Sequence, residues 1–249
     1  MPPGADRYDT IGRAYASRRH EEPAWAHAIS QALGGARRVI NVGAGTGNYE
    51  PRDAVVLAVE PSATMLAQRA RDAAPAVRGV AEALPVPDDS FDAALAILTV
   101  HHWRDPHHGL RELARVAARQ VVVTWDPAAS SGYWLNRDYL PELFEHEAAI
   151  SSLGDVLDVL EVLEVRTLEV PRDCADGFLG AQWAAPEVYL DPAVRAAMSG
   201  LALLDQGVVN DAMARLARDL ADGTWERRNA ELATLASLDT GFRLVVAGT

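Results

Sequence analysis

The sequence predicts an open, doubly wound α/β sheet of seven mostly parallel strands. Short apolar runs rich in β-branched residues, RRVINVG, AVVLAVE and AALAILTV, recur between residues 37 and 100 and read as strands buried on both faces. Helical patterns alternate with them, as parallel pairing through right-handed crossovers requires. At 249 residues the chain is long enough for one full domain with an insert.

Pro23 opens a helix whose Trp25, Ile29 and Leu33 recur at i, i+4 and i+8 before Gly34 and Gly35 stop it. After the second strand, Ser62 caps a helix to about Asp72, and AVRGV supplies another strand. Asp105 and Pro106 open a helix with Leu110, Leu113 and Val116 on one face, and QVVVTW follows as a strand. Three helical stretches come next, PAVRAAMSGLALL, VVNDAMARLARDLADG and WERRNAELATLASL, before the last strand FRLVVA. The predicted organisation is a helical N-terminal segment (1–36), the sheet domain (37–171 and 241–249) and a helical insert (172–240) before the last strand.

The net charge of -12 and the absence of any basic run make nucleic acid a poor partner. All 23 basic residues are arginine, which removes Schiff-base lysine chemistry. No apolar run reaches the ~18 to 20 residues of a membrane span. No basic-then-apolar leader pattern opens the chain, and the lone Cys174 cannot form an internal disulfide; both point to the cytoplasm. Cys174 reads as structural. Oligomeric state is not written in the sequence.

Gly43, Gly45 and Gly47 directly follow the first strand, where backbone must turn sharply and lie against a ligand. A dinucleotide fingerprint G-x-G-x-x-G would place its third glycine at position 48, which is Asn48. Glu60 ends the next strand, where one carboxylate can accept from two adjacent ribose hydroxyls. The pair suits an adenosine ligand without a pyrophosphate and disfavours an NAD-dependent dehydrogenase.

At these residues the sequence resembles the class I S-adenosylmethionine (SAM) dependent methyltransferases, in the branch similar to ubiquinone- and menaquinone-biosynthesis enzymes. The likeness runs from about residue 8 to 126 through VINVGAGTG, AVEPSATML, VAEALPVPDDSFDAALA and HHWRDPHHGLRELARV, in order. It implies a Rossmann-like fold with SAM as cofactor and a small-molecule acceptor. Asn41, Gly43, Ala44, Gly45 and Gly47 would line its methionine side. Glu60 would bind the ribose, Pro61 and Met65 would flank the adenine, and Ala81 and Glu82 would meet its polar edge. The N-terminal segment would fold over SAM as a lid, with Tyr15 near the methionine end, Tyr8 beside the acceptor, and Arg18 or Arg19 available to the carboxylate. Two departures stand out. Asn41 replaces the usual aspartate, and the span from Gly47 to Glu60 is short and contains Pro51, so its usual helix reduces to a turn.

Methyl transfer from a sulfonium needs chiefly a nucleophile held in line at near-attack distance; a base is optional. His101 and His102, at the end of AALAILTV, are the candidate base, against the competing reading that they only pack and line the cavity. His107 and His108 raise a metal site, but no cysteine or carboxylate cluster completes a ligand set, and none is assigned. Trp134, Tyr139, His146, Asp176, Phe178 and Trp183 are candidate acceptor-pocket residues under the helical insert; core packing competes for the aromatics and a solvated loop for Asp176. Two other functions stay open: intramolecular cyclisation of SAM releasing methylthioadenosine, and a non-catalytic SAM-binding subunit.

Overall fold

The computed structural model describes residues 20–248. A helix, α1 (Pro23–Ala32), leads into β1 (Arg38–Val42), β2 (Val55–Glu60), α2 (Ala63–Ala67), β3 (Ala76–Arg78), β4 (Phe91–Ile97), α3 (Pro106–Val116) and β5 (Ala117–Trp125). Three helices, α4 (Pro127–Ser130), α5 (Pro141–Ile150) and α6 (Leu153–Val159), precede β6 (Val162–Thr167) and β7 (Val170–Pro171). Then come α7 (Pro192–Ala196), α8 (Ser199–Leu203), α9 (Gln206–Ala221), α10 (Thr224–Arg228), β8 (Ser237–Leu238) and β9 (Phe242–Gly248).

The seven-stranded sheet has the order β3-β2-β1-β4-β5-β9-β6. β1 to β5 pair in parallel, while β9 runs antiparallel to both β5 and β6. This is the predicted mostly parallel, doubly wound sheet. The order reverses beside β1, so the carboxyl ends of β1 and β4 flank the crevice where ligands enter such sheets. β7 and β8 form a small antiparallel pair, Val170 facing Leu238, which holds together the start and end of the helical stretch.

The unbroken apolar runs follow from burial on both faces. Val39, Val121, Val123 and Val246 enter one core with Trp25 and Ile29 of α1. Ile40, Val122 and Val245 enter the other with Leu110, Leu113 and Val116 of α3. Alternate side chains along a strand point to opposite faces, so a strand covered on both sides is apolar at every position.

Helices deviate most from the sequence pattern. β1 and β2 are joined by turns alone, as Pro51 and the short span require. The helix after Ser62 ends at Ala67, well short of Asp72. PAVRAAMSGLALL divides into α7 and α8 around Ala197 and Met198. WERRNAELATLASL breaks at Asn229, whose amide bonds the carbonyl of Trp225 at 3.0 Å while its oxygen accepts from Arg137 at 2.9 Å. A side chain that takes a helical carbonyl and a tertiary partner together favours a break over continuation.

α1 is anchored by Trp25, which is 1% exposed. Its ring stacks on Phe178 at 4.6 Å and meets Phe242 edge-on at 4.9 Å, and its indole N–H donates to the Glu169 carbonyl at 2.9 Å. One residue therefore joins the first helix to the last strand. Trp25→Ala should lower unfolding free energy by about 3 to 5 kcal/mol, measured by denaturant titration.

Candidate functional site

The chain turns at the carboxyl end of β1 through Gly43, Gly45 and Gly47, with φ of 69°, 54° and 101°. A Cβ on Gly43 would lie 1.9 Å from Thr99 Oγ1, so only glycine lets β1 approach the end of β4 there. The amides of Gly43 and Ala44 donate to the Val59 carbonyl, at 2.8 and 3.2 Å, tying the turn to β2. Glu60 stands at the end of β2 and is 6% exposed. Its carboxylate accepts from the Gly45 amide and the Ser62 amide, each at 2.8 Å.

A cavity of about 110 Å³ opens over this turn. Asn41, Gly43, Ala44, Gly45, Glu60, Pro61, Met65, Ala81 and Glu82 line it, so every sequence-selected cofactor residue but Gly47 and Tyr15 meets in one place. Gly47 faces away. A Cβ there would sit 3.1 Å from Glu50 and 3.2 Å from Arg69, so its freedom serves packing beneath the turn. Tyr15, Tyr8, Arg18 and Arg19 lie outside the described residues.

Beneath the turn, Arg69 holds Glu50 through two 2.8 Å contacts and donates to the Gly45 carbonyl at 3.3 Å. Asn41 donates its amide to the same Glu50 carboxylate at 3.2 Å. This explains the amide at position 41. An aspartate would set a second carboxylate against Glu50 with Arg69 alone to balance both, in a setting where an uncompensated charge is costly.

A second cavity of about 90 Å³ adjoins the first, and Leu98 and His102 line both. Leu98 has φ of 49°, a conformation rare and strained for a side-chain-bearing residue, placed at the shared wall. His101 and His102 pack ring to ring at 3.7 Å, and His101 meets Trp125 edge-on at 4.7 Å. His146 and Phe178 line this second cavity. Trp134, Tyr139 and Trp183 do not. They are 2%, 1% and 0% exposed and satisfy their polar atoms inside the core: Trp134 on the Trp183 carbonyl, Trp183 on the Val170 carbonyl, Tyr139 on Asp219. Asp176 lies by a third cleft, where it accepts from the Tyr49 hydroxyl at 2.9 Å and the His20 amide at 3.3 Å. Burial pushes the Cys174 thiol up to about 12, which suits packing and not reactivity.

Residues 40–123 match the family described as Methyltransferase domain. An uncharacterised methyltransferase of Mycobacterium bovis is 42% identical over 88 residues, 32% of this chain and 35% of that protein. The rice 2-methyl-6-phytyl-1,4-hydroquinone methyltransferase 2 is 31% identical over 40% of this chain and 32% of its own. The match thus spans about a third of these curated relatives. The crystal structure of a candidate methyltransferase from an antibiotic biosynthesis pathway of Anabaena variabilis extends much further. It is 30% identical, with 93% of this chain and 99% of that chain covered and a TM-score of 0.85. The chain belongs to the class I SAM-dependent methyltransferases.

The methyltransferase's first cavity fits the family's cofactor on its own geometry. The glycine turn leaves backbone bare where a Cβ would intrude, and an acidic side chain, Glu60, lines the cavity from the end of β2. Several residues escaped the sequence reading. Thr99, Leu98 and Trp103 line the first cavity from beyond β4, and Asn136, Glu147 and Thr240 line the second. Glu147 follows His146 in a helix whose pattern gave no sign that both face a cavity. Among the described residues no group of three or more potential metal ligands is assembled; His107 instead pairs with Asp155 at 2.9 Å.

The Glu147 carboxyl is pushed up to about 7 by burial, opposed by its hydrogen bond from Asn136. Its folded value exceeds the unfolded one of roughly 4.3, so the folded state holds the extra proton. Stability is therefore full below about pH 4 and falls as pH rises towards and through 7. Glu147→Gln should remove this loss, opening a gain over wild type of up to about 3 kcal/mol between pH 5 and 8 in denaturant titrations. Gly43→Ala should cost about 2 to 4 kcal/mol from strain and overlap, and abolish S-adenosylhomocysteine binding by calorimetry.

Proposed function

We propose that the methyltransferase passes a methyl group from SAM in the first cavity to a small-molecule acceptor in the second. The observation that carries this reading is the wall the two cavities share, Leu98 and His102. Two ligands seated either side of it are neighbours, and holding reactants adjacent replaces a bimolecular encounter. SAM supplies a methyl carbon activated by its sulfonium. Glu60 holds the ribose, the glycine turn offers backbone to the methionine portion, and Met65 and Pro61 bracket the adenine.

The second cavity is lined by Trp125, Tyr133, Phe178, Phe242 and Met198, a mostly apolar wall of the kind that takes small organic ligands. The net charge of -12 disfavours a polyanionic substrate. The Anabaena protein is described as belonging to an antibiotic biosynthesis pathway, which supports a small molecule as acceptor here. No helix among the described residues is long and apolar enough to cross a membrane.

Calorimetry with S-adenosylhomocysteine should give wild-type binding, and Glu60→Ala should raise Kd by about tenfold or more as the charge-assisted ribose hydrogen bonds are lost. No wild-type binding at millimolar ligand sinks the reading. In turnover with SAM, mass spectrometry should find S-adenosylhomocysteine; methylthioadenosine would mean cyclisation instead.

A further inference from the structure

We propose that Glu147 is the general base of the acceptor site, and that the second cavity takes a small, flat acceptor bearing an acidic hydroxyl of the phenol or enol class. The proposal rests on the methyl-transfer reading above.

Unpartnered polar atoms on residues of a mostly apolar cavity carry the argument. Asn136 Oδ1, His146 Nε2 and Thr240 Oγ1 belong to residues that line it, and each is shut off from solvent with no hydrogen-bond partner. Buried polar atoms are nearly always paired, so three in one wall mark a place built for a polar ligand group. Glu147 sits among them. The contact made by its carboxylate with Asn136 is long, 3.4 Å, and a Cβ on Gly200 of α8 would lie 3.9 Å from it. Among the described residues no arginine lines the cavity to fix the carboxylate as an ion. The titratable groups facing this region are His146 on the same helix, Tyr133 and Tyr189, which hydrogen-bond each other at 2.9 Å, and His101 and His102. α8 contributes none.

A carboxyl held near 7 stays poised to exchange a proton at neutral pH. A phenolic hydroxyl at roughly 10 is within about three units of it, whereas an aliphatic hydroxyl titrates far higher and is out of reach. In the step, the acceptor O–H bond breaks and its proton goes to a Glu147 carboxylate oxygen. The electron pair stays on the acceptor oxygen, which would form its bond to the methyl carbon as the carbon–sulfur bond breaks and that bond's pair leaves on sulfur. Glu147 ends neutral and the acceptor oxygen carries the negative charge until it is alkylated.

Phenol is the probe and anisole, which lacks the O–H, its control, both titrated by calorimetry into the protein loaded with S-adenosylhomocysteine. Phenol should bind wild type about tenfold more tightly at pH 8.5 than at pH 5.5, because the hydrogen bond to an ionised carboxylate is the stronger one. Anisole should show no such rise. Glu147→Gln should bind S-adenosylhomocysteine as wild type does while losing the pH dependence, and Glu147→Asp should restore part of it. Equal phenol profiles for wild type and Glu147→Gln, both still binding S-adenosylhomocysteine, overturn the proposal alone. Tighter binding of benzylamine than of phenol overturns the acceptor class. Failure of wild type to bind S-adenosylhomocysteine overturns the methyl-transfer reading and this proposal together.

Discussion

The approach of β1 to the end of β4 at Gly43 and Thr99 is the constraint on which both cavities depend. With no Cβ between them, the backbone after β1 lies against Thr99, and the next residues curl back to the Val59 carbonyl and the Glu60 carboxylate. That turn forms the floor of the first cavity. The same contact sets where the chain after β4 must go. Leu98 takes a left-handed conformation, Thr99 packs on Gly43, and the 3₁₀ turn Val100–His102 swings His102 into the wall between the cavities. One missing methyl group thus fixes the distance between the two cavities.

The missing helix between β1 and β2 is made good by side chains from distant parts of the chain. Tyr49 fills the gap, 3% exposed, with its amide on Glu21 and its hydroxyl between Glu22 and Asp176. The Glu50–Arg69 pair does the corresponding work under the glycine turn. A buried ion pair is worth little as stability in itself, since desolvation offsets most of the attraction. Its value here is positional: Arg69 reaches the Gly45 carbonyl and Glu50 reaches Asn41, so the turn and the end of β1 share one polar anchor.

The sheet and its glycine turn were legible because they rest on short-range signals: apolar runs of strand length, glycines where φ is positive, and an acidic residue at a strand end. Helix ends were less so, because Asn229 breaks a helix through its bond with Arg137, a tertiary reason that no local pattern carries. The acceptor side was hardest. Trp134, Tyr139 and Trp183 have the composition of a binding pocket, but large rings bury so much apolar area that packing claims them first. Glu147, Asn136 and Thr240 gave no signal, since three polar residues from α5, the turn before it and the approach to β9 meet only in space. His146 could be named from sequence only as a polar residue in the right segment.

Burial gives the second cavity its chemical character. In a low dielectric an unpaired oxygen or nitrogen is costly, and the same low dielectric strengthens any hydrogen bond a ligand makes there. Asn136, His146 and Thr240 therefore favour an acceptor that brings polar atoms of its own, while the aromatic walls favour its flat remainder. The carboxylate adds a directional element: ionising Glu147 in that setting is disfavoured unless a donor or a positive charge comes close. A sulfonium on the other side of Leu98 and His102 is such a charge, and an acceptor hydroxyl is such a donor. If cofactor and acceptor occupy the two cavities as proposed, each should favour the other's binding through the charge state of one side chain.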